Sequence, residues 1–167
     1  GLKNLKAIAI RGTRGVAMRN PARFSKIVQE MREKFDTHAA RNRLTHVGTH
    51  AMIDNTNAWG SLPTRNSRDV QFDGHDAVKV KTAHTPRRND GNPNVISTKA
   101  CFACSIGFGR IAKIDPDHYS VGSEEAKIKY GNAIGGLEYE SIFALAPMVG
   151  CNDLDAATYA NALCNED

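Results

Sequence analysis

No apolar run in this sequence approaches the roughly 20 residues that cross a bilayer, and no charged-then-apolar leader precedes a small-residue cleavage site. Neither a membrane span nor a secretory leader is expected. Aromatic residues are scarce, at 7%, and basic residues are not clustered: 22 of them lie among 18 acids, for a net charge of +4. The single dense basic pair is Arg87 and Arg88, in a proline-rich loop. A nucleic-acid surface needs a basic stripe interleaved with stacking aromatics, and no ribonucleoprotein-type motif occurs, so nucleic acid is not an expected partner. The six histidines, His38, His46, His50, His75, His84 and His118, form no H-E-x-x-H or other tight ligand spacing, and most of them read as surface or loop residues. Repeats, low-complexity segments and long polar tracts of the disordered kind are also missing.

What remains is a globular composition, 41% hydrophobic and 24% charged over 167 residues. A chain of this size hides roughly 70% of its unfolded surface on folding, enough for a real core. It opens at Gly1 and closes at Asp167 inside an expected helix, which suggests a piece of a longer polypeptide. Four cysteines, Cys101, Cys104, Cys151 and Cys164, could form two disulfides, but a Cys-x-x-Cys pair outside a small secreted scaffold points to metal or redox chemistry. A reducing, cytoplasmic compartment is expected.

LKAIAIRG, residues 2 to 12 with its flanks, packs Ala7, Ile8, Ala9 and Ile10 into a short run that reads as a buried strand. Asn20 and Pro21 make a cap and first-turn pair, and Phe24, Ile27, Val28, Met31 and Phe35 follow at helical spacing. From Arg41 to Thr98 the pattern loosens, with a short helix expected around 46 to 58. GSLPTRN, beside Trp59 and containing Arg65 and Asn66, is turn-rich; its polar groups suit a structural turn, the fixing of a neighbouring segment, or a cofactor contact. RIAKI reads as a strand, a helix is expected to start near Ser123, and EYESIFALAPMVG reads as a helix broken near Pro147. The last helix starts at Asn152 or Asp153 and sets Ala156, Ala160, Leu163 and Cys164 on one face, read as its core face.

KACFACSIGFGR, residues 99 to 110, carries the chemistry that stands out. Thiolate is a soft ligand for iron or zinc, and two cysteines separated by two residues can hold one metal or one cluster edge from a single loop. Ala103, Gly107 and Gly109 keep the backbone close and leave amides free for sulfur. Buried, reduced structural cysteines are the alternative, and a zinc site recruiting Cys151 and Cys164 is a further one, although its spacing matches no common finger. In GLEYES, residues 136 to 141, Glu138 or Glu140 could exchange protons if set in a cleft, or could simply be acids at a helix N terminus.

GLKNLKAIAIRGTRGV, GSLPTRN, KACFACSIGFGR, GLEYES and NDLDAATYANALCNE, taken in this order, resemble successive signature stretches of the aldehyde ferredoxin oxidoreductase family, the tungsten enzymes with a bis-pterin cofactor. The resemblance runs from Leu2 to Glu166. It implies a mainly α fold: residues 1–12 as the end of an N-terminal β domain, contributing a short strand, and residues 13–167 as part of the helical middle domain. It further implies oxidation of an aldehyde substrate to a carboxylic acid at tungsten or molybdenum held by the bis-pterin, with electrons leaving through a 4Fe-4S cluster to ferredoxin. Cys101 and Cys104 match the first two cluster cysteines, Glu138 matches a glutamate near the metal, and Asn165 begins the pattern of a pterin-contacting turn. The missing N- and C-terminal parts of the same polypeptide would complete the sites, so this chain alone is expected to be inactive, and a homodimer is compatible with the pattern.

Three departures accompany the resemblance. Phe108 stands at the third cluster cysteine, Leu137 replaces the usual proline, and Ser105 replaces the proline common after the second cysteine. A phenyl ring cannot ligate iron, so a cluster here would be lost, left with an open iron, or completed by another group such as Cys151. The departures keep alive a noncatalytic or decayed paralogue that serves as a binding or scaffold module.

Overall fold

The computed structural model describes residues 5–87 and 89–165, in two units that divide the chain into residues 1–34 and 35–167. Leu2, Arg88 and Glu166, which entered the reading of the sequence, lie outside the described residues.

In the first unit, residues 5–20 form no strand, and Leu5, Ile8 and Ile10 are exposed. The expected N-terminal β-strand is therefore corrected: the strands of this molecule are central in the chain. Apolar run length cannot make a strand by itself, because its N–H and C=O groups need a paired neighbour, and within the described part of this unit there is none. Helix α1, Pro21–Thr37, starts as expected. Asn20 Oδ1 accepts the Arg23 N–H at 2.9 Å, and Pro21 occupies a first-turn position whose N–H would have had no helical partner. Its apolar stripe of Phe24, Ile27, Met31 and Phe35 remains exposed.

The second unit replaces the loose 41–98 stretch with short helices: α2, Ala39–Val47; α3, Ala51–Ala58; α4, His75–Val78; and α5, Val80–Ala83. The single helix expected around 46 to 58 is broken at Gly48, whose φ of 62° ends α2 with its N–H donated to the Leu44 carbonyl at 2.8 Å. GSLPTRN is a turn that fixes a neighbouring segment. Arg65, Asn66 and Ser67 all adopt left-handed φ values of 48°, 58° and 60°, and the Arg65 and Asn66 N–H groups donate to the Pro147 and Met148 carbonyls at 2.9 and 2.7 Å.

Strands β1, Val95–Lys99, β2, Gly109–Ala112, and β3, Ile134–Gly135, form an antiparallel sheet in that order. Lys99 pairs with Gly109 at the end of the β1–β2 hairpin, so residues 100–108, with both close cysteines, are its loop. Between β2 and β3 comes α6, Glu124–Tyr130, capped by Ser123 Oγ on the Ala126 N–H at 3.1 Å. Then follow α7, Tyr139–Leu145, stopped by a 3-10 helix at Pro147–Val149, and α8, Leu154–Cys164, capped by Asp153.

The core gathers Ile53, Leu62, Phe72, Val78, Val95, Leu137, Ile142 and Leu154 from α3, α4, β1, α7, α8 and the connecting loops. Each such side chain contributes about 1.5–3 kcal/mol by leaving water. A smaller cluster of Ile114, Val121 and Tyr130 includes an edge-on contact between Tyr130 and Tyr159. The buried face of α8 is Leu154, Ala157, Thr158 and Asn161, whereas Leu163 and Cys164 are exposed, correcting the core face expected from Ala156, Ala160, Leu163 and Cys164. Polar Thr158 and Asn161 can be buried because both find partners, Thr158 Oγ1 donating to the Leu154 carbonyl at 2.6 Å and Asn161 Nδ2 donating to the Gly135 carbonyl at 3.5 Å.

Candidate functional site

Strand β2 links the cysteine loop to Glu138. Its first residue, Gly109, pairs with Lys99, and its remaining edge pairs with β3, where Ile111 faces Gly135 and the Gly136 N–H donates to the Arg110 carbonyl at 2.8 Å. Two residues beyond Gly136 the chain reaches Glu138, the extended residue immediately before α7. A Cβ placed on Gly109 would lie 3.7 Å from Glu138 Oε1, so the carboxylate and the base of the cysteine hairpin are neighbours. Leu137 anchors this corner: the residue that departs from the usual proline is 1% exposed in the core. Opposite it, Thr49 Oγ1 accepts the Tyr139 N–H at 3.1 Å, which steadies the first turn of α7.

Arg110 forms the floor. It is buried, and its guanidinium caps the end of α2, Nη1 donating to the Thr45 carbonyl at 3.1 Å and Nη2 to the Leu44 carbonyl at 3.2 Å. A cation suits the negative end of a helix. Burial lowers the Arg110 pKa from its ordinary value, and the charge of Glu138 pushes it back up. Two glycines admit this residue. A Cβ on Gly48 would stand 2.6 Å from Arg110 Nη2, and one on Gly136 would stand 2.6 Å from Arg110 Cβ. Gly48 also meets the Phe108 carbonyl closely, at 2.9 Å from the same hypothetical Cβ, so the end of the cysteine loop lies against the end of α2.

His50, expected at the surface, is instead fully enclosed. Its Nε2–H donates to the Val78 carbonyl at 2.7 Å, leaving Nδ1 as a buried acceptor without a partner. Burial first, and then the charges of His84 and Arg110, lower its pKa from 6.5 to about 4, against opposing contributions from the Val78 carbonyl and Asp54. This ring is neutral at physiological pH.

In the loop itself, Cys101 and Cys104 are free and exposed. The Cys104 N–H donates to the Cys101 carbonyl at 3.0 Å, closing a turn in which Ala103 takes a left-handed φ of 58°. The Ile106 N–H donates to Cys104 Sγ at 3.4 Å, and the Cys104 S–H donates to the Ile106 carbonyl at 3.5 Å. Phe108, in the third position, is half-buried.

The remaining candidates lie apart from this arrangement. Cys151 Sγ donates to the Asp153 carbonyl at 3.7 Å, and Cys164 is exposed on α8. Among the described residues no three His, Cys, Asp or Glu side chains converge on a point where a metal ion could sit. Cys101, Cys104, Cys151 and Cys164 are thus not brought together as one group among the described residues. The donor set fits one edge of an iron-sulfur cluster and does not fit the whole ligand shell. Asn165 is the exposed C-terminal cap of α8, with its Nδ2 donated to the Asn161 carbonyl at 2.9 Å. Glu140 is exposed in the first turn of α7.

Arg110, Gly48 and His50 were missed in the sequence. A signal existed for the first: an arginine opening the apolar stretch RIAKI needs either an edge or a buried set of acceptors.

Residues 26–167 match the family model described as aldehyde ferredoxin oxidoreductase, domains 2 & 3. The chain is 32% identical over 167 residues to the tungsten-containing aldehyde ferredoxin oxidoreductase of Thermococcus kodakarensis, and 31% and 29% identical over 172 residues to the proteins of that name in Pyrococcus abyssi and Pyrococcus furiosus. In each case 99% of this chain is covered, but the chain spans only 24% of the relative's length. Among the described residues no helix is long and apolar enough to cross a membrane.

Proposed function

The chain belongs to the aldehyde ferredoxin oxidoreductase family, and from that premise we propose that it is the part of an aldehyde-oxidising enzyme that presents Glu138 to the reacting centre. The match over residues 26–167 carries this reading. In the overall reaction an aldehyde and water give a carboxylic acid, two protons and two electrons. A tungsten or molybdenum bis-pterin, when bound, supplies the acceptor for those two electrons, and ferredoxin takes them onward in the cytoplasm. The remainder of the polypeptide supplies most of the pterin site, with Asn165 at its border, and a second copy of the chain completes a dimer.

Glu138 is the residue to which we assign proton transfer. Its position beside Gly109, at the base of the cysteine hairpin, is the geometry on which we assign it the proton of the attacking water. Arg110 holds the end of α2 through the Leu44 and Thr45 carbonyls, beside the corner that carries Glu138. Cys101 and Cys104 could each offer a thiolate to iron, but with Phe108 beside them and no third ligand converging, no electron step is assigned to them.

The test is aldehyde-dependent dye reduction by the anaerobically purified full-length polypeptide, together with its tungsten and pterin content. Replacing Glu138→Gln should lower kcat by at least about 100-fold while the pterin stays bound. Full activity in that variant removes Glu138 from the mechanism. A second reading, a noncatalytic scaffold member of the family, is favoured by Phe108; it predicts a full-length protein that folds, carries no tungsten and leaves aldehydes unchanged.

A further inference from the structure

The mismatch between the cysteine loop and a complete cluster shell raises the question of what two exposed thiols in a closed turn do instead. We propose that the Cys101–Cys104 turn is a thiol–disulfide exchange site, which takes small disulfides as its substrate class and closes into an internal disulfide. This assignment rests on the loop alone and not on the aldehyde reading.

The geometry supplies three conditions. The first is distance. The Cys104 N–H bonded to the Cys101 carbonyl at 3.0 Å defines a four-residue turn, whose end Cα atoms approach within about 7 Å. A disulfide spans Cα separations of about 4.4–6.8 Å, so closure needs only side-chain rotation and a small backbone adjustment. The second is preorganisation. Ala103 holds a φ of 58°, a conformation that costs a non-glycine residue roughly 1–2 kcal/mol. The hairpin below it is closed by the Lys99–Gly109 pair, which fixes both ends of the loop. The third is access. Both thiols are free and exposed in this chain, Cys104 with its S–H set against the Ile106 carbonyl at 3.5 Å, whereas Cys151 is half-buried.

Phe108 makes this chemistry available. A third thiol at that position would compete for iron and hold the pair as cluster ligands. The half-buried ring offers no sulfur, so the Cys101 and Cys104 thiols are available to each other.

The Cys101 thiolate attacks one sulfur of a small disulfide such as oxidised glutathione, forming a mixed disulfide and releasing one glutathione thiolate. Cys104 Sγ, on leaving its contacts with Ile106, then attacks the Cys101 sulfur and releases the second glutathione. Two protein thiols are oxidised, one small disulfide is reduced to two thiols, and the two protein protons pass to the released thiolates.

The experiment is anaerobic incubation of the protein with oxidised glutathione, quenching by alkylation, and mass analysis of its peptides. The peptide containing residues 101 and 104 should lose the mass of two hydrogens and take up no alkyl group, while the Cys151 and Cys164 peptides are alkylated. In the Cys104→Ser variant, Cys101 should keep one glutathione. Prior exposure to ferrous iron and sulfide should leave the wild-type result unchanged. Glutathione retained on both cysteines, alkylation of both, a bridge to Cys151 or Cys164, or protection by iron and sulfide would each overturn the assignment. None of these outcomes depends on tungsten, pterin or aldehyde turnover, so failure here is distinct from failure of the proposed function.

Discussion

Arg110 and Gly48 occupy one space: the guanidinium of the first fills the volume that any side chain on the second would take. The contact joins β2 to the end of α2 across 62 residues of sequence and supports the corner on which Glu138 stands.

Substitution on either side of that contact should be costly. Gly48→Ala must place a Cβ 2.6 Å from Arg110 Nη2 and 2.9 Å from the Phe108 carbonyl, at a φ of 62°. We expect a loss of about 2 kcal/mol or more, from the left-handed backbone together with the displaced guanidinium. Arg110→Met removes the guanidinium from the Thr45 carbonyl and from the Leu44 carbonyl, which keeps the Gly48 N–H, and should cost about 1–3 kcal/mol. Urea unfolding checks both, as a lower midpoint at unchanged slope; wild-type midpoints would mean that the helix cap is not formed.

Acid should weaken the fold through His50. Its folded pKa of about 4 lies below its ordinary 6.5, so between those values the unfolded chain binds a proton that the folded chain does not. Stability is fully present above about pH 6.5 and falls as pH drops towards 4, by about 3 kcal/mol for this group. Comparison of the pH dependence of unfolding for wild type and His50→Gln measures it. Parallel curves through that window would show that the ring titrates normally.

Leu137 is where a departure from the family pattern became a core contact. Leu137→Ala should cost about 2–5 kcal/mol, the usual range for a large aliphatic core residue. Because Leu137 precedes Glu138, it should also loosen the first turn of α7, seen as faster hydrogen exchange at the Tyr139 amide that Thr49 now accepts. Unchanged exchange there would separate core stability from the position of the carboxylate.

Phe108→Cys tests the altered loop from the other side. A third thiol at the end of the hairpin should raise iron and sulfide incorporation on anaerobic reconstitution and bring a broad visible thiolate-to-iron absorbance. It should also suppress the Cys101–Cys104 disulfide. Equal iron content in variant and wild type would mean that position 108 does not govern the loop.

Local chemistry determined much of this protein. Asn20 with Pro21, Ser123 and Asp153 start helices where their types say they should, because a cap is satisfied within three residues. The break at Pro147 and the turn at GSLPTRN were legible for the same reason. The spacing of Cys101 and Cys104, and the phenylalanine four residues after the second, are also properties of the sequence alone. Tertiary structure decided what depends on partners far along the chain. Ile8 and Ile10 form no strand in the described unit because apolar character does not supply a hydrogen-bonding neighbour. His50 is buried because Val78, 28 residues later, provides its acceptor. The meeting of Gly109 with Glu138, and of Arg110 with Leu44 and Thr45, required the sheet to close before either pair could come within reach, and no short-range pattern encodes a contact whose energy is realised only after chain closure.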